Sequence, residues 1–543
     1  MKKNETITIE ITGMTAEGSG VGRYEGMAVF VSGAAVGETV RARVIKAEKR
    51  YAIGKLEEIV KRSPDRTESD CAVSASCGGC AYRFLNYDAE KTIKYNRVRD
   101  AFLHIGGINI IPDETVGAVS TERYRNKALL PAAVDKNGKV VFGFYAGRSH
   151  RVIPCSDCLL QPEEFARIAE VTSRWAEKYG IGVYDERSGK GLLRHLCMRK
   201  AAITGEIMAV PVINAAVLPY AKEYADMVVD SVPTVKSVMY NVNTERTNVV
   251  MGNKCVLLRG KPTVTDEICG VRLDISPLSF YQVNRDMAEL LYKKVRQLSE
   301  PTGKTVIDLY CGIGAIGLSA AYDAEKLIGA EIIPDAVEDA RRNAENNGIR
   351  NARFIVGDAA LAAEKIADEG ITADAVILDP PRKGCSAELI RTVARDFHPE
   401  RIVYVSCDPA TLARDAALFL KEGYEVRSVT PFDLFPRTVH VETVVQLVRK
   451  KPDTYIDITV DMDELDLTSS EAKATYDEIK DYIFDKHRVK VSSLYVAQVK
   501  QKHGIIERDC YNNSKKDNPK QPQCPPEKVK LIEEALRHFK MIP

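Results

Sequence analysis

The chain has 543 residues, of which 45% are hydrophobic and 28% are charged, and its formal net charge is +1. This composition is typical of a globular protein, and the length predicts about two to four domains. The near-zero charge excludes attraction to nucleic acid by a global field, so such affinity must come from local patches. The longest apolar stretch, residues 207–221, contains two prolines and cannot cross a bilayer. The amino terminus lacks an apolar signal region, so we expect a cytoplasmic protein without membrane contact.

Residues 5–62 alternate apolar and polar side chains, with glycines at turn spacing. This pattern predicts a small all-β barrel. Gly18, Gly20 and Gly22 predict a flexible tip. Cations near this tip are expected from Arg41, Arg43, Lys46, Lys49 and Arg50. The stretch resembles a TRAM domain, an OB-like RNA-binding module.

Cysteines follow the barrel in a spacing that suits a metal or cluster site. Cys71, Cys77 and Cys80 form C-x5-C-x2-C, and Gly78-Gly79 allows the backbone to fold tightly around them. A fourth ligand is required, and the next cysteines are Cys155 and Cys158. The spacing alone leaves an iron–sulfur cluster, a zinc site and reduced thiols open, whereas a radical-SAM site usually has the tighter C-x3-C-x2-C spacing.

Two segments between residues 82 and 280 interleave cations with aromatic side chains. They are Tyr124-Arg-Asn-Lys127 and Phe142-Gly-Phe-Tyr-Ala-Gly-Arg148. This mixture suits phosphate contact combined with base stacking. The alternative is an ordinary solvated face with buried rings.

Residues 304–450 alternate strand and helix patterns, which predicts a doubly wound α/β sheet. The predicted strands are 305–309, 326–330, 352–356, 375–378 and 402–405, followed by a hairpin of 426–430 and 439–447. The carboxyl ends of parallel strands face the ligand crevice, and Cys407 follows one of them. We therefore take Cys407 as the candidate nucleophile, although a lone cysteine is often a small buried hydrophobe.

A glycine motif after the first of these strands predicts a nucleotide-type cofactor. It consists of Gly312, Gly314 and Gly317 in G-x-G-x-x-G spacing, which would first suggest a nicotinamide dinucleotide. Asp308 argues against this, because a carboxylate would repel a pyrophosphate at the glycine turn. S-adenosylmethionine (SAM) has no phosphate, and its cationic groups suit nearby carboxylates. Glu331 can accept both ribose hydroxyls and Asp358 the adenine amine, so the sequence favours SAM.

Four motifs and the cysteine segment together resemble the bacterial RNA (uracil-5-)-methyltransferases. The motifs are Phe280-Tyr-Gln-Val-Asn284, Asp379-Pro-Pro-Arg-Lys-Gly384, Ser406-Cys-Asp-Pro-Ala-Thr-Leu-Ala-Arg-Asp415 and Phe435-Pro-Arg-Thr-Val-His-Val-Glu-Thr443. The resemblance covers residues 5 to about 450 and is greatest to the 23S ribosomal RNA branch, which combines a TRAM domain, a [4Fe-4S] cluster and a SAM-dependent domain. The transfer RNA branch shares the catalytic motifs but typically lacks the first two features. Tyr310 departs from the family, in which phenylalanine is common.

The resemblance implies roles for particular residues. Those expected to contact SAM are Gln282, Tyr310, Glu331 and Asp379. Cys407 is the implied nucleophile and Glu442 the implied base. The implied cluster ligands are Cys71, Cys77, Cys80 and Cys158, the last because Cys-Leu-Leu-Gln matches the context of the family's fourth ligand. Asp308, Gly312, Gly314 and Asp358 complete the cofactor site that we predict.

Chemistry supports the same assignment of the two reacting residues. Uracil C5 is a weak nucleophile until a group adds at C6, and a soft thiolate such as that of Cys407 suits this addition. A carboxylate must later remove the C5 proton so that the thiolate can leave, which suits Glu442. Asp379 and Gln282 can also read the uracil edge, and the target base must be flipped from its stack.

Two alternatives explain less of the sequence. RNA cytosine-5 methyltransferases usually carry a cysteine beside the proline of the fourth-strand motif, whereas this chain has Asp379-Pro-Pro-Arg. A non-catalytic RNA-binding or iron–sulfur redox protein would account for the barrel and the cysteines. It would leave the set of Cys407, Glu442 and Asp379 unexplained.

We therefore predict a multidomain protein that acts as a monomer on RNA, specifically 23S ribosomal RNA, and not on DNA. The predicted domains are a TRAM barrel (1–62), a mixed α+β central domain with the cluster and an RNA-binding surface (63–284), a doubly wound SAM-dependent methyltransferase domain (285–451) and a small helical extension (452–543).

The extension has an uneven charge distribution. Residues 453–484 carry ten acidic residues against two lysines, and residues 485–543 carry thirteen Lys and Arg against seven acidic residues. Tyr476, Ile479, Tyr482 and Ile483 have helical spacing, and 512–526 reads as a proline-containing loop. We hypothesise that the acidic and basic halves pair with each other in the absence of RNA, and that the basic half contacts RNA phosphates when RNA competes for it. The alternative is a solvated appendage with no role in substrate binding.

Overall fold

The structure, a computed structural model, describes residues 1–147, 149–450, 475–503, 505 and 524–542. The chain forms two compact units, Met1–Lys451 and Pro452–Pro543. Within the described ranges, no helix has the length and apolar character needed to cross a membrane. Arg148 of the second aromatic segment, most of the acidic segment (453–474) and most of the predicted loop (512–523) lie outside the described residues.

The amino-terminal strands form a closed barrel in the order β1-β2-β3-β5-β4. Their bounds are β1 (Thr6–Met14), β2 (Ser19–Tyr24), β3 (Met27–Ser32), β4 (Thr39–Ala47) and β5 (Tyr51–Lys61). Alternating residues such as Ile7, Ile9 and Ile11 fill its core, because successive side chains of a strand point to opposite faces. The predicted barrel is confirmed.

The predicted flexible tip is wrong for two of its three glycines, whereas Gly18 does lie in the turn between β1 and β2. Gly20 and Gly22 lie within β2, and a Cβ atom at Gly22 would lie 2.3 Å from the Glu10 carbonyl oxygen. These glycines instead allow neighbouring strands to approach closely. Of the nearby cations, Arg41 pairs with Glu58 at 2.8 Å and Arg43 with Glu57 at 3.1 Å, so much of this basic set is already neutralised.

A seven-stranded sheet and flanking helices follow the cysteine segment. The sheet order is β12-β11-β10-β9-β6-β7-β8, and a separate hairpin pairs β13 with β14. The bounds are α1 (Tyr87–Ala101), β6 (Lys127–Val134), β7 (Val140–Tyr145), β8 (Val152–Pro154), α2 (Glu163–Lys178), β9 (Leu193–Lys200), β10 (Ile207–Ile213), α3 (Ala221–Ser231), β11 (Val235–Val242), β12 (Lys254–Gly260), β13 (Val264–Ile268) and β14 (Val271–Ile275). The longest apolar stretch of the sequence begins with β10, which is buried along its whole length between β9 and β11.

The last part of the larger unit is a second seven-stranded sheet of order β17-β16-β15-β18-β19-β21-β20. The bounds are α4 (Arg285–Ser299), β15 (Thr305–Leu309), α5 (Ala315–Ala321), β16 (Lys326–Glu331), α6 (Pro334–Asn346), β17 (Ala352–Val356), α7 (Ala359–Asp368), β18 (Ala375–Leu378), α8 (Ala387–Thr392), β19 (Arg401–Ser406), α9 (Pro409–Lys421), β20 (Tyr424–Phe432) and β21 (Glu442–Arg449). Strands β15 to β19 pair in parallel, β21 runs antiparallel between β19 and β20, and β20 therefore has the same direction as the five parallel strands. The predicted doubly wound sheet is confirmed, but β21 begins at Glu442 rather than at residue 439.

The smaller unit is described at α10 (Tyr476–His487), α11 (Ser493–Lys502) and α12 (Pro526–His538). Thr475 and Glu478 form a capping box at the start of α10. Ile479 and Ile483, at the helical spacing noted in the sequence, are buried together with Val496, Ile532 and Leu536. These helices therefore share an apolar core of their own.

Candidate active site

A cavity of about 1260 Å³ lies at the carboxyl ends of the parallel strands of the second sheet. Nearly all predicted cofactor and catalytic residues line it: Gln282, Asp308, Tyr310, Gly312, Glu331, Asp358, Asp379, Cys407 and Glu442. Gly314 does not line the cavity, and its φ of +85° serves the turn that precedes α5. One site thus unites residues that are far apart in the sequence.

The sheet topology explains this convergence. Tyr310 directly follows β15, Glu331 ends β16, and Asp379 directly follows β18. Parallel strands place such terminal residues along one edge of the sheet. Leu309 is paired with Leu378, so the next residues of the two strands, Tyr310 and Asp379, come side by side.

The antiparallel strand β21 brings the two candidate reacting residues together. Its amino-terminal end lies beside the carboxyl end of β19, where Ser406 is paired with Thr443. The same register places Cys407, the next residue along β19, opposite Glu442. Asp408 then caps α9 by accepting hydrogen bonds from the backbone N–H groups of Ala410 (2.9 Å) and Thr411 (3.1 Å). Strand pairing on one side and the helix cap on the other hold the thiol at the cavity.

Two carboxyl groups at this end of the cavity have raised pKa values. Burial, reinforced by the charge of Asp379, raises the pKa of Glu442 to about 8, although Arg382 opposes the shift. Burial alone raises the pKa of Asp379 to about 7. Glu442 is only 4% exposed. A carboxyl group with such a pKa can accept a proton near neutral pH, as a general base must.

The Cys407 thiol is influenced by both a carboxylate and a cation. Burial and the nearby Glu442 raise its pKa, whereas the charge of Arg382 and a hydrogen bond from its side chain lower it. Arg382 thereby stabilises the thiolate, which is the reactive form. No role was predicted for Arg382 from the sequence, although the residue stands in the Asp379-Pro-Pro-Arg motif.

Asp308 organises the glycine loop. Its Oδ2 atom accepts a hydrogen bond from the Gly317 N–H at 2.9 Å, and a Cβ atom at position 317 would lie 2.7 Å from that oxygen. Its buried Oδ1 atom has no hydrogen-bond partner among the described residues. Burial and the charge of Asp379 raise the pKa of Asp308 to about 8. A buried carboxyl oxygen without a partner fits a cationic ligand such as the ammonium group of SAM.

Glu331 and Asp358 are oriented by backbone groups. The two oxygens of Glu331 accept hydrogen bonds from the Gly312 N–H (3.2 Å) and the Ile333 N–H (2.9 Å). Oδ1 of Asp358 accepts from the Ala360 N–H at 3.0 Å and caps α7, a role that the sequence analysis did not predict. Ile332 and Ile333 are exposed apolar residues on the cavity wall. Carboxylates beside an apolar wall fit the ribose and adenine of SAM.

The cavity is also lined by several residues for which no role was predicted from the sequence. They are Arg125, Phe280, Tyr292, Phe435 and His440. The ring of Phe280 is 68% exposed, which is unusual for an aromatic side chain at a cavity and suits stacking against a base. Burial lowers the pKa of His440 to about 4, so this imidazole is neutral at pH 7. Arg125 and Phe280 stand in motifs that were singled out in the sequence, and these motifs were the signals that could have indicated their place in the site.

Five cysteines of the central region influence one another electrostatically: Cys71, Cys77, Cys80, Cys155 and Cys158. Burial raises the pKa of Cys80 to about 12, and Cys158, Cys77 and Cys71 add to this effect. Burial and the neighbouring thiols likewise raise the pKa of Cys155 to about 12. The Gly79 N–H donates to the sulfur of Cys77 at 3.4 Å. In the part of the chain that the structure describes, no three His, Cys, Asp or Glu residues form a group that could hold a metal ion.

Comparison with known proteins assigns the family. The family described as tRNA (Uracil-5-)-methyltransferase matches residues 272–450, and the TRAM domain matches residues 2–56. A Clostridium tetani protein named as an uncharacterized RNA methyltransferase is 41% identical over 446 residues, which are 82% of this chain and 96% of that protein. A similarly named protein of Halalkalibacterium halodurans is 40% identical over 452 residues, covering 83% and 98% of the two chains.

A solved structure supports the same assignment. The crystal structure of Pyrococcus abyssi tRNA (uracil-54, C5)-methyltransferase, in complex with S-adenosyl-L-homocysteine, aligns with a TM-score of 0.65 and 26% identity. The alignment covers 81% of this chain and 100% of that one. The relatives match through almost their entire length, and the cavity carries the cofactor and reaction motifs together. This chain therefore belongs to the family of SAM-dependent RNA (uracil-5-)-methyltransferases.

Proposed function

We propose that the protein methylates C5 of a uridine in 23S ribosomal RNA through a covalent adduct between Cys407 and uracil C6. The observation that carries this proposal is the pairing of Ser406 with Thr443, which puts their neighbours Cys407 and Glu442 at the adjoining ends of β19 and β21. Both residues line the cavity that also contains the cofactor motifs. A nucleophile and a base are needed on the same uracil ring, and this pairing supplies both.

The proposed reaction begins at the Cys407 thiolate, which Arg382 stabilises. The sulfur forms a bond to C6, and the electron pair of the C5–C6 double bond becomes available at C5. C5 uses this electron pair to bond the methyl group that bound SAM would supply; the methyl–sulfur bond of the cofactor breaks, its electron pair stays on the sulfur, and S-adenosyl-L-homocysteine is the leaving group. Glu442 then removes the remaining C5 proton, the C5–C6 double bond re-forms, and the bond between sulfur and C6 breaks. The pKa of about 8 suits Glu442 to holding this proton.

Recognition of the flipped uracil is assigned to groups around the same cavity. Gln282 and Asp379 offer an amide and a carboxyl group to the uracil edge, and a partly protonated Asp379 can donate as well as accept. The Asn126 amide donates to the Gln282 carbonyl oxygen at 2.8 Å and fixes the backbone that carries this reader. The exposed ring of Phe280 can stack on the extruded base.

We propose a [4Fe-4S] cluster as a second cofactor, held by Cys71, Cys77, Cys80 and Cys158. Thiolates are the usual ligands of such clusters, and Cys158, Cys77 and Cys71 all act electrostatically on Cys80, although these thiols do not stand in a ligating arrangement among the described residues. Cys155 is the alternative fourth ligand, because it also lies near Cys158 and Cys71. Burial raises the pKa of Cys77, Cys80 and Cys158, and a bound cluster would take the place of the thiol protons that these residues retain.

Transfer RNA is the second candidate substrate. It is favoured by the aligned Pyrococcus abyssi structure, which is named as a transfer RNA enzyme. The combination of a TRAM barrel with the cysteine segment instead favours ribosomal RNA. We also propose that the enzyme acts as a monomer in the cytoplasm. Mapping 5-methyluridine in both RNA classes from a deletion strain tests the choice. Loss in 23S ribosomal RNA alone is expected, and loss confined to transfer RNA would reassign the substrate.

A further inference from the structure

The segment 434–439, which we call the base loop, connects β20 to the candidate base at the start of β21. It forms no strand, yet five of its six carbonyl oxygens accept hydrogen bonds from groups outside the loop. The donors are Asn284 Nδ2 to Leu434 (3.0 Å), Lys94 Nζ to Phe435 (3.2 Å), the Tyr124 hydroxyl to Pro436 (3.0 Å), the Tyr82 N–H to Arg437 (3.1 Å) and Arg97 Nη1 to Val439 (2.7 Å). In a regular strand these carbonyl groups would accept hydrogen bonds from a neighbouring strand. Here donors from another part of the protein supply those hydrogen bonds.

Most of these donors belong to the central region of the chain rather than to the catalytic sheet. Lys94 and Arg97 lie one turn apart on α1, Tyr82 stands two residues after Cys80, and Tyr124 begins the Tyr124-Arg-Asn-Lys127 motif. Tyr82 is fully buried against Val439, and a Cβ atom at Gly18 of the barrel would lie 2.9 Å from the Val439 side chain. The barrel, the cysteine segment and α1 therefore meet at the base loop.

A buried charge cluster anchors the start of the loop. Lys94 Nζ donates to Glu90 at 2.7 Å and to Asp433 at 2.6 Å, and all three side chains are at most 1% exposed. Glu90 also accepts from the Arg437 N–H at 2.7 Å, and the Tyr87 hydroxyl donates to Asp433 at 2.9 Å. Breaking such a buried pair leaves an unpaired charge, so the cluster strongly favours one arrangement of the loop.

The position of the base depends on this loop because Glu442 is the first residue of its strand. Within the sheet, Glu442 is paired with Phe432. On its amino-terminal side, Glu442 is connected to the base loop through His440, and both His440 and Glu442 line the cavity. Arg97 binds the carbonyl group of the residue immediately before His440, and its charge reaches the His440 imidazole. A shift of about 1 Å in a catalytic group is enough to reduce a rate substantially.

We propose that the central region positions the base, with Arg97 and Tyr124 as positioning residues that act on Glu442 through the base loop. This inference rests on the proposed function, because it assigns a consequence to the step in which Glu442 removes the C5 proton. The central region thereby acquires a role in the reaction besides RNA contact. Displacing the base loop should slow proton removal while leaving C6 addition and methyl transfer possible.

The test compares Arg97→Met and Tyr124→Phe with a matched control. Arg99→Met is that control, because Arg99 lies on the same helix, is exposed and, among the residues that the structure describes, donates only to the adjacent Asp100. In single-turnover reactions with SAM and a uridine-containing RNA fragment, Arg97→Met should release product about tenfold more slowly and accumulate methylated, denaturation-resistant protein–RNA adduct. Tyr124→Phe should show a smaller effect of the same kind, Arg97→Lys should partly restore release, and Arg99→Met should behave as wild type.

A second measurement keeps the inference separate from the proposed chemistry. Amide hydrogen exchange in the peptide spanning 434–446 should be about tenfold faster in Arg97→Met than in wild type and unchanged in Arg99→Met, with β15 and β16 unaffected. Unchanged exchange would overturn the positioning role, whatever the mechanism. A raised KM for RNA with normal release would also overturn it, since Arg97 would then be an RNA contact. If Glu442→Gln accumulates no adduct, the proposed chemistry fails, and faster exchange in Arg97→Met would still support positioning of the loop.

Discussion

The reaction cavity and the cysteine segment are built in different ways. Residues of the cavity stand at the ends of hydrogen-bonded strands, where the register of one strand fixes its neighbour, as for Cys407 and Glu442. The cysteines lie on turns and loops outside the named strands and are partly exposed; they are held by single backbone contacts, such as the hydrogen bond from the Cys155 N–H to the Phe142 carbonyl oxygen (3.1 Å) and the isolated bridge between Cys77 and Ala146, rather than by a strand register. A site on a sheet edge is therefore preorganised by the fold, whereas a site on turns depends on its ligand for order.

Replacement of Cys407 is the strongest test of the preorganised site. Cys407→Ala should abolish both methyl transfer and the covalent adduct, because the thiolate that adds to C6 is removed. The measurement is methyl incorporation into RNA from labelled SAM, with SAM binding as the control for an intact cofactor site. Cys524→Ala provides a matched control, since this cysteine is partly exposed, as Cys407 is, and does not line the cavity. Methylation by Cys407→Ala would reject the nucleophile assignment.

The second test separates addition from elimination. Glu442→Gln should allow addition and methyl transfer but block proton removal, so turnover should fall by about a thousandfold while methylated adduct accumulates. Denaturing gels of protein with labelled RNA measure the adduct directly. Normal turnover by this variant would show that Glu442 is not the base.

The cysteine segment is tested through its ligand. Anaerobically purified protein should be brown and contain iron and sulfide, and Cys158→Ser should lose both, whereas Cys155→Ser should retain them. Stoichiometric zinc without sulfide would replace the cluster with a metal ion. A cluster retained in Cys158→Ser but lost in Cys155→Ser would move the fourth ligand to Cys155.

The pH dependence of the reaction sharpens the picture of the cavity. Glu442 must be ionised to act as a base and its pKa is about 8, so kcat/KM should rise with pH through that region. The raised pKa of Cys407 acts in the same direction, because the thiolate also forms as pH rises. Arg382→Gln should move the rising limb to higher pH by removing a charge that lowers both values. A flat profile between pH 6 and about 9 would contradict this account.

The smallest effect is expected from the carboxy-terminal extension. Truncation after Lys451 should leave SAM binding intact and weaken RNA binding about threefold, with a salt dependence shallower by about 0.7 to 0.9 for each lost phosphate contact. The effect is small because part of the basic set is already paired: Lys486 with Glu534 at 2.8 Å and Lys502 with Glu533 at 3.1 Å. Unchanged RNA affinity and salt slope in filter-binding measurements would make the extension a solvated appendage.

Local patterns in the sequence determined much of the catalytic sheet. Strands such as β15 and β18 were predicted with the bounds that the structure has, because a short apolar run between polar turns is encoded within a few residues. The position of Cys407 at a strand end followed in the same way. The family motifs then implied the cofactor residues, nearly all of which share the cavity.

Only the tertiary structure decided contacts between residues distant in the sequence. Lys94 and Asp433 are 339 positions apart, and no periodicity in either segment indicates that they form a buried pair. The same is true of the hydrogen bond between Arg382 and the Cys407 thiol and of the close packing at Gly22 that replaced the predicted flexible tip. The start of β21 at Glu442 has this origin too, because the carbonyl groups of the base loop bind side chains of the central region instead of a neighbouring strand. Secondary structure follows from local spacing, but the placement of a catalytic loop depends on which surfaces pack together.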